Sequence, residues 1–247
     1  MIANMEELTQ RQIEILNFLI KEYISTGQPV SSNVLEKKYK LGVSPATIRN
    51  EMVELTKKGM IRKEYFSSGR IPSAKAFRFY IRNLMKEKEL STAEEVSYKN
   101  SIWDERNKLY KLLRQATRTL SKKTSLLSLA ASNQGDFYYS GTGNLLSLHE
   151  FSNMVVSRQL FYLLEEVNFW ERIIDEMIQK EEEIYYLLGE EDFHDPIFEP
   201  CASVFGEFEG KDVKGIIGVI GPKRMYYDEI IPHVKYFSRL ISEILRE

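Results

Sequence analysis

The chain is poor in the residues that build many kinds of site. One cysteine, three histidines and two tryptophans occur in 247 residues. A lone cysteine closes no internal disulfide, which fits a reducing cytoplasm, and it argues against a cysteine-based metal site. No apolar run approaches the ~18 residues of a membrane span, so an integral membrane protein is excluded. Met1-Ile2-Ala3-Asn4-Met5-Glu6-Glu7 has neither a basic flank nor an apolar stretch and does not read as a signal peptide. His149, His194 and His233 are widely spaced. His194-Asp195 near Cys201 is too sparse for zinc, which takes roughly four ligands. The chain contains no G-x-S-x-G, no P-loop and no H-E-x-x-H. Gly215, Gly218 and Gly221 recur every third residue, which is not a dinucleotide fingerprint, and close backbone packing is the better explanation. No catalytic group, metal or cofactor is expected, and an enzyme is the least favoured class.

Hydrophobic residues make up 43% and charged residues 28%, with 13 Phe and 14 Tyr to bury, so the chain is a folded globular protein. Its length suits one large domain or two modest ones of roughly 100–200 residues. The net charge of −2 hides an asymmetry. Met1 to Leu90 holds 16 Lys+Arg against 10 Asp+Glu, whereas Ser91 to Glu247 holds 18 against 26. A basic module ahead of an acidic one implies a polyanionic partner for the first part only.

The basic part reads as helices followed by a hairpin. Thr9 and Gln12 have capping-box spacing, and Ile13, Leu16, Ile20 and Ile24 follow at helical intervals until Gly27 and Pro29. Ser32 is the expected cap of a short second helix. After the turn at Leu41-Gly42-Val43, Ser44 caps a third helix with Pro45 at its first position and Ile48, Met52 and Leu55 on one stripe. This is a helix-turn-helix pattern. The start of the third helix offers Ala46, Thr47, Arg49, Asn50 and Glu51 to a major groove. Arg49 has the donors for guanine, Asn50 the amide for adenine, and Thr47 a methyl and hydroxyl for thymine or phosphate. A salt bridge from Arg49 to Glu54 is the competing structural role. Ile61 to Phe66, a Ser67-Ser68-Gly69 turn and Arg70-Ile71-Pro72 then form a hairpin in the position of a wing. Its Arg62, Lys63 and Arg70, with Ser68 and Gly69 at the turn, suit phosphate or minor-groove contact. The DNA-binding set is therefore Ser44, Pro45, Ala46, Thr47, Arg49, Asn50, Arg62, Lys63, Ser68, Gly69 and Arg70.

Leu8 to Leu16 (LTQRQIEIL), Gly27 to Ser32 (GQPVSS), Leu41 to Glu51 (LGVSPATIRNE) and Ser68 to Ser73 (SGRIPS) resemble the bacterial heat-inducible transcription repressor HrcA family. The resemblance continues at Gly143 to Leu146, at Glu150-Phe151, at Leu188 to Glu191, and in Gly218 to Met225 (GVIGPKRM) with Tyr227, Ile230 and Ile231. The family's usual Asp after that Met is Tyr226 here. The resemblance implies a GAF-like second domain and repression of chaperone operons at an inverted-repeat operator in double-stranded DNA. It also implies help from the GroEL chaperonin as co-repressor. Family members are usually longer. The shortfall lies between Ala131 and Asp136, where the family carries further strands and an inserted dimerisation segment.

The expected fold class is α+β: a winged helix over residues 1–88, a connecting helical segment over 89–123 and a reduced GAF-like domain over 124–247 for regulation and dimerisation. The segment from Asp104 to Lys123 is amphipathic, and it either links domains, packs on a second copy or faces its own core. Strands are expected at Leu126–Ala131, Phe137–Ser140, Ile184–Leu188, Ala202–Phe208 and Gly215–Ile220, with helices at Phe151–Glu165, Phe169–Lys180 and from Tyr227 onward. Lys223 and Arg224 are expected in salt bridges, and Cys201 as a small buried hydrophobe. The favoured function is a cytoplasmic homodimeric repressor with no membrane partner. The alternatives are a small-molecule-responsive winged-helix regulator and a protein-interaction module.

Overall fold

Thr9 opens the first helix, α1 (Gln10–Thr26), by a reciprocal pair of bonds: Thr9 Oγ1 accepts from Gln12 N at 3.2 Å, and Gln12 Oε1 accepts from Thr9 N at 3.3 Å. In this computed structural model residues 8–64, 69–106, 108–180 and 182–247 are described. They fall into two compact units, Met1–Lys86 and Glu87–Glu247.

In the first unit, Gly27 ends α1 in the left-handed conformation (φ 65°). Ile15, Leu16, Leu19, Ile20 and Ile24 are buried, while Ile13 is only half-buried. The second helix, α2 (Ser32–Tyr39), is capped by Ser31, not Ser32 as expected: Ser31 Oγ accepts from Val34 N at 3.3 Å. Adjacent serines are indistinguishable in sequence, and Ser32 is buried in the first turn. Ser44 caps α3 (Pro45–Lys57), whose Ile48, Met52 and Leu55 are buried against α1 and α2. Gly59 (φ 70°) follows, and Met60 N donates back to Leu55 O at 3.0 Å. Strands β1 (Ile61–Lys63) and β2 (Arg70–Pro72) pair antiparallel with Lys63 opposite Arg70. The expected strand residues Tyr65 and Phe66 and the turn residues Ser67 and Ser68 lie outside the described residues. Ser73 caps α4 (Ala74–Phe79), which buries Phe77 and continues through Tyr80–Leu84 in a wider turn that buries Tyr80 and Ile81.

The second unit is a five-stranded antiparallel sheet between helices. Segment 89–123, expected as a connection, folds within this unit as α5 (Thr92–Trp103) and all but the last residue of α6 (Leu109–Thr124). The strands are β3 (Leu127–Ser132), β4 (Phe137–Ser140), β5 (Ile184–Leu188), β6 (Cys201–Glu209) and β7 (Lys214–Pro222), in the spatial order β4-β3-β7-β6-β5. A tight turn joins β3 to β4, with Ser132 N donating to Asp136 O at 2.9 Å, at the place where the chain is expected to fall short of the family. One sheet face packs on α6 and the last helix, α11 (Tyr227–Arg246). The buried stripe of α6, Leu112, Leu113, Ala116 and Leu120, faces this core. The other face carries Leu127, Leu129, Tyr185, Leu187, Cys201, Phe205, Ile216 and Ile220. They pack under α7 (Thr142–Leu146), α8 (Met154–Glu165) and α9 (Val167–Lys180), whose Leu145, Leu160, Leu164 and Trp170 share that core. A short α10 (Glu190–Phe193) follows β5.

The glycine triplet has a steric cause. A Cβ on Gly218 would overlap Val204 O and the Phe205 ring, one on Gly215 Ala131 O and Phe208, and one on Gly221 would lie 2.8 Å from Leu126 Cδ2. Lys223 pairs with Glu199, and Arg224 holds both oxygens of Glu150, so the two cations are structural. Cys201 is buried, and desolvation pushes its thiol up to about 12. No helix among the described residues is long and apolar enough to cross a membrane.

Candidate nucleic-acid interface

Helix α3 has one face in the core and one in solvent. Ile48, Met52 and Leu55 anchor the inner face, so the i, i+3, i+4 geometry turns Ala46, Arg49, Asn50, Val53 and Lys57 outward, and all five are exposed. Among the described residues Arg49 and Asn50 make no side-chain hydrogen bond or ion pair. Glu54, the competing partner for Arg49, pairs instead with Lys57 at 2.7 Å. The guanidinium and the amide therefore keep their full donor sets for another molecule. Val53 and Lys57 were not singled out from the sequence; their shared spacing with Arg49 and Asn50 is the signal that marks them.

Ser44 and Thr47 prepare the helix start. Ser44 Oγ accepts from Thr47 N at 3.2 Å and lies 3.0 Å from Thr47 Oγ1. Pro45 occupies the first position, where no N–H is needed. The remaining free N–H groups and the helix dipole favour an anion at this end. Glu51, on the inward side of the same turn, is engaged. It accepts from Gln12 Nε2 at 3.0 Å and from Arg11 Nη1 at 3.4 Å. Lys58 Nζ donates to Gln12 Oε1 at 2.8 Å. The buried Gln12 side chain thus ties the first turn of α1 to the middle and end of α3.

Helix α2 is fixed to α1 by a carboxylate. Buried Glu22 accepts from Lys38 Nζ at 2.5 Å and from Tyr39 Oη at 2.8 Å. Burial alone would raise its pKa, but the bonds from Lys38 and Tyr39 outweigh that and hold it below the usual carboxylate range. Burial and the same carboxylate push the Tyr39 phenol up to about 12.

The hairpin is anchored at its root. Val30 and Arg70 exchange two backbone bonds of 2.9 Å, so the α1–α2 connection lies beside β2 as a short third strand. Gly69 is buried there: a Cβ would come within 2.7 Å of Pro29 C and O. It serves packing and does not present a contact surface. Arg70 is half-buried, with Nη1 donating to Gly69 O at 3.1 Å. Arg62 and Lys63 are exposed on β1, and Ser68 lies outside the described residues. Two exposed groups thus result, one on α3 and one on β1.

The family model of the HrcA protein C terminal domain matches residues 45–231. The chain belongs to the HrcA family. The model of the LexA DNA binding domain matches residues 5–68, which contain α1 to α3 and β1. The heat-inducible transcription repressor HrcA of Acetivibrio thermocellus is 25% identical over 337 aligned positions that cover 96% of each chain. Those positions outnumber the 247 residues here, so this HrcA relative has long stretches without a counterpart. The heat-inducible transcription repressor HrcA of Clostridium perfringens (strain 13 / Type A) is 42% identical over 122 residues, 48% of this chain and 35% of that one. A crystal structure described as that of a hypothetical protein superposes with a TM-score of 0.75 over 98% of this chain and 99% of its own, at 18% identity, which shows a shared fold.

Proposed function

We propose that the chain is a sequence-specific repressor of heat-shock (chaperone) genes that acts as a homodimer on an inverted-repeat operator. In this reading α3 enters the major groove by its first turns. Arg49 and Asn50 contact guanine and adenine edges, and Val53 offers methyls to a thymine. Arg62 and Lys63 neutralise phosphates, and the capped start of α3 receives another phosphate. Two-fold protein symmetry matches two half-sites. A GroEL-type chaperonin is the proposed co-repressor, and the cytoplasm the proposed compartment. None of these roles is enzymatic.

The observation that carries the reading is the outward, unpaired Arg49–Asn50 pair on a helix whose neighbouring polar residues are all engaged. It stands in a chain whose curated relatives are named heat-inducible transcription repressors. The test is transcription in vitro from a chaperone-operon promoter that contains an inverted repeat. The protein should suppress the transcript, and Arg49→Ala should not. Equal suppression by both, or none by either, would contradict the reading.

One observation favours the second reading, a ligand-responsive regulator. A cleft of about 350 Å³ lies between the β3–β4 hairpin and helices α8 and α9, lined by Phe137, Tyr139, Leu164, Trp170 and Ile174. A small molecule that quenches Trp170 fluorescence and shifts operator affinity by the same saturation curve would favour it.

A further inference from the structure

Helix α8 has two apolar faces, and only one of them is covered. Val156, Leu160 and Leu164 enter the core with Trp170 and Phe205. On the opposite side Met154 is 73% exposed, Val155 52% and Tyr162 56%, with Phe161 half-buried beside them. Single exposed apolar residues are ordinary, but three exposed and one half-buried on one side of one helix form a patch of the kind that marks an association surface. Positions 154, 158, 161, 162 and 165 follow one another at helical spacing and make a single stripe. A hollow of about 390 Å³ lies on it, walled by Met154, Arg158, Phe161 and Tyr162.

Two charges frame the stripe. Arg158 and Glu165 are both exposed, and neither has an ion-pair partner among the described residues. The point midway between them falls between Phe161 and Tyr162. When two such helices meet antiparallel about a two-fold axis at that point, each Arg158 faces the other copy's Glu165. Each Tyr162 ring then faces the other copy's Phe161, beside the hollow. The face is complementary to itself in charge, as an isologous contact requires.

We propose that the outer face of α8 is the self-association surface of the second unit, and that its occupant is a second copy of this chain. The inference rests on the dimeric reading of the function and assigns that dimer a surface. A twelve-residue helix is only ~18 Å long, so the contact is small and its affinity modest. A second half-site on the same DNA compensates by raising the effective concentration of the second copy.

The test is a charge-exchange cycle on the full chain, read by sedimentation velocity from about 1 to 100 μM. Arg158→Glu and Glu165→Arg each set like charges opposite one another at both ends of the contact. Each should raise the dimer dissociation constant by about tenfold or more. The double variant R158E/E165R restores both pairs across the axis and should return the constant to within about threefold of the parent. Both side chains in the cycle, Arg158 and Glu165, are exposed, and circular dichroism of each variant checks that it folds. A parent that stays monomeric throughout the range, single variants that dimerise like the parent, or a double variant no better than the singles would each overturn the proposal. A parent dimer indifferent to all three variants overturns this surface and leaves the repressor reading standing. Absence of any preference for a full inverted repeat overturns the repressor reading itself.

Discussion

Gln12 Nε2 donates to Glu51 Oε2 at 3.0 Å, joining the first turn of α1 to the middle of α3. The same amide oxygen accepts from Lys58 Nζ at 2.8 Å and from Thr9 N at 3.3 Å. One buried side chain therefore caps its own helix and orients the helix that presents Arg49 and Asn50. Gln12→Ala removes all three bonds and should lower the local opening free energy of α3 by about 1–2 kcal/mol. Glu51→Gln keeps an acceptor for the amide and loses only the exposed Arg11 contact, so it should cost less than about 0.5 kcal/mol. Hydrogen exchange of peptides covering α1 and α3 measures both. Equal effects of the two variants would contradict the assignment.

On DNA, α3 and β1 should separate by kind of contact. Arg49→Ala and Asn50→Ala should each weaken binding to the operator by about 1–3 kcal/mol and leave binding to random duplex unchanged. Lys63→Ala should weaken binding to both and flatten the salt dependence by about one unit of slope. Titrations at several salt concentrations distinguish the classes. A similar loss for all three variants on both duplexes would contradict the division.

The Glu22 contact makes the first unit sensitive to acid. Its folded pKa lies below the usual carboxylate range, so the stabilisation is complete above that range and is lost as pH falls through the lowered folded value. Lys38 is about half exposed and rehydrates when its partner is removed. Glu22→Gln should therefore cost only about 1–2 kcal/mol at pH 7. The parent and the variant should converge below the carboxylate range. Urea titrations at pH 7 and near pH 3 check this, and a gap that persists in acid would contradict it.

Two glycines should respond to alanine in opposite directions. Gly218 has a carbonyl and an aromatic ring where the Cβ would go, so Gly218→Ala should destabilise the second unit by about 3 kcal/mol or more. Gly143, inside α7, has nothing within 4 Å of that position, and Gly143→Ala should stabilise by up to about 1 kcal/mol. Thermal melts followed through the fluorescence of Trp103 and Trp170, both in the second unit, compare them.

Much of this was legible because it is local. The Thr9–Gln12 capping box, the proline at the start of α3 and the apolar runs of β5, β6 and β7 are signals a few residues long, and the elements stand where those signals placed them. Helix α5 was not foreseen. Its Ser91–Glu94 capping box was available, but only Tyr98 and Ile102 are buried, too few to make a periodic stripe beside the charged residues around it. The order β4-β3-β7-β6-β5 depends on pairings as distant as Leu129 with Gly218, for which the sequence has no local signal. The proposed DNA-facing set shows the same limit. The exposure of Arg49 and Asn50 follows from their position on a capped helix. The burial of Gly69 depends on Pro29, and the engagement of Glu51 on Gln12, both partners some forty residues away.

The most direct measurement is a fluorescence-anisotropy titration of the full chain against three duplexes: a chaperone-operon inverted repeat, one isolated half-site and a scrambled sequence. Each is run at two salt concentrations, with Arg49→Ala alongside. The expected result is a salt-dependent preference for the full repeat over both controls, which Arg49→Ala abolishes without changing the scrambled-duplex affinity. Binding that is equal on all three duplexes, disappears as salt rises and is indifferent to Arg49 would contradict the assignment of α3 as the reading helix of a dimeric repressor.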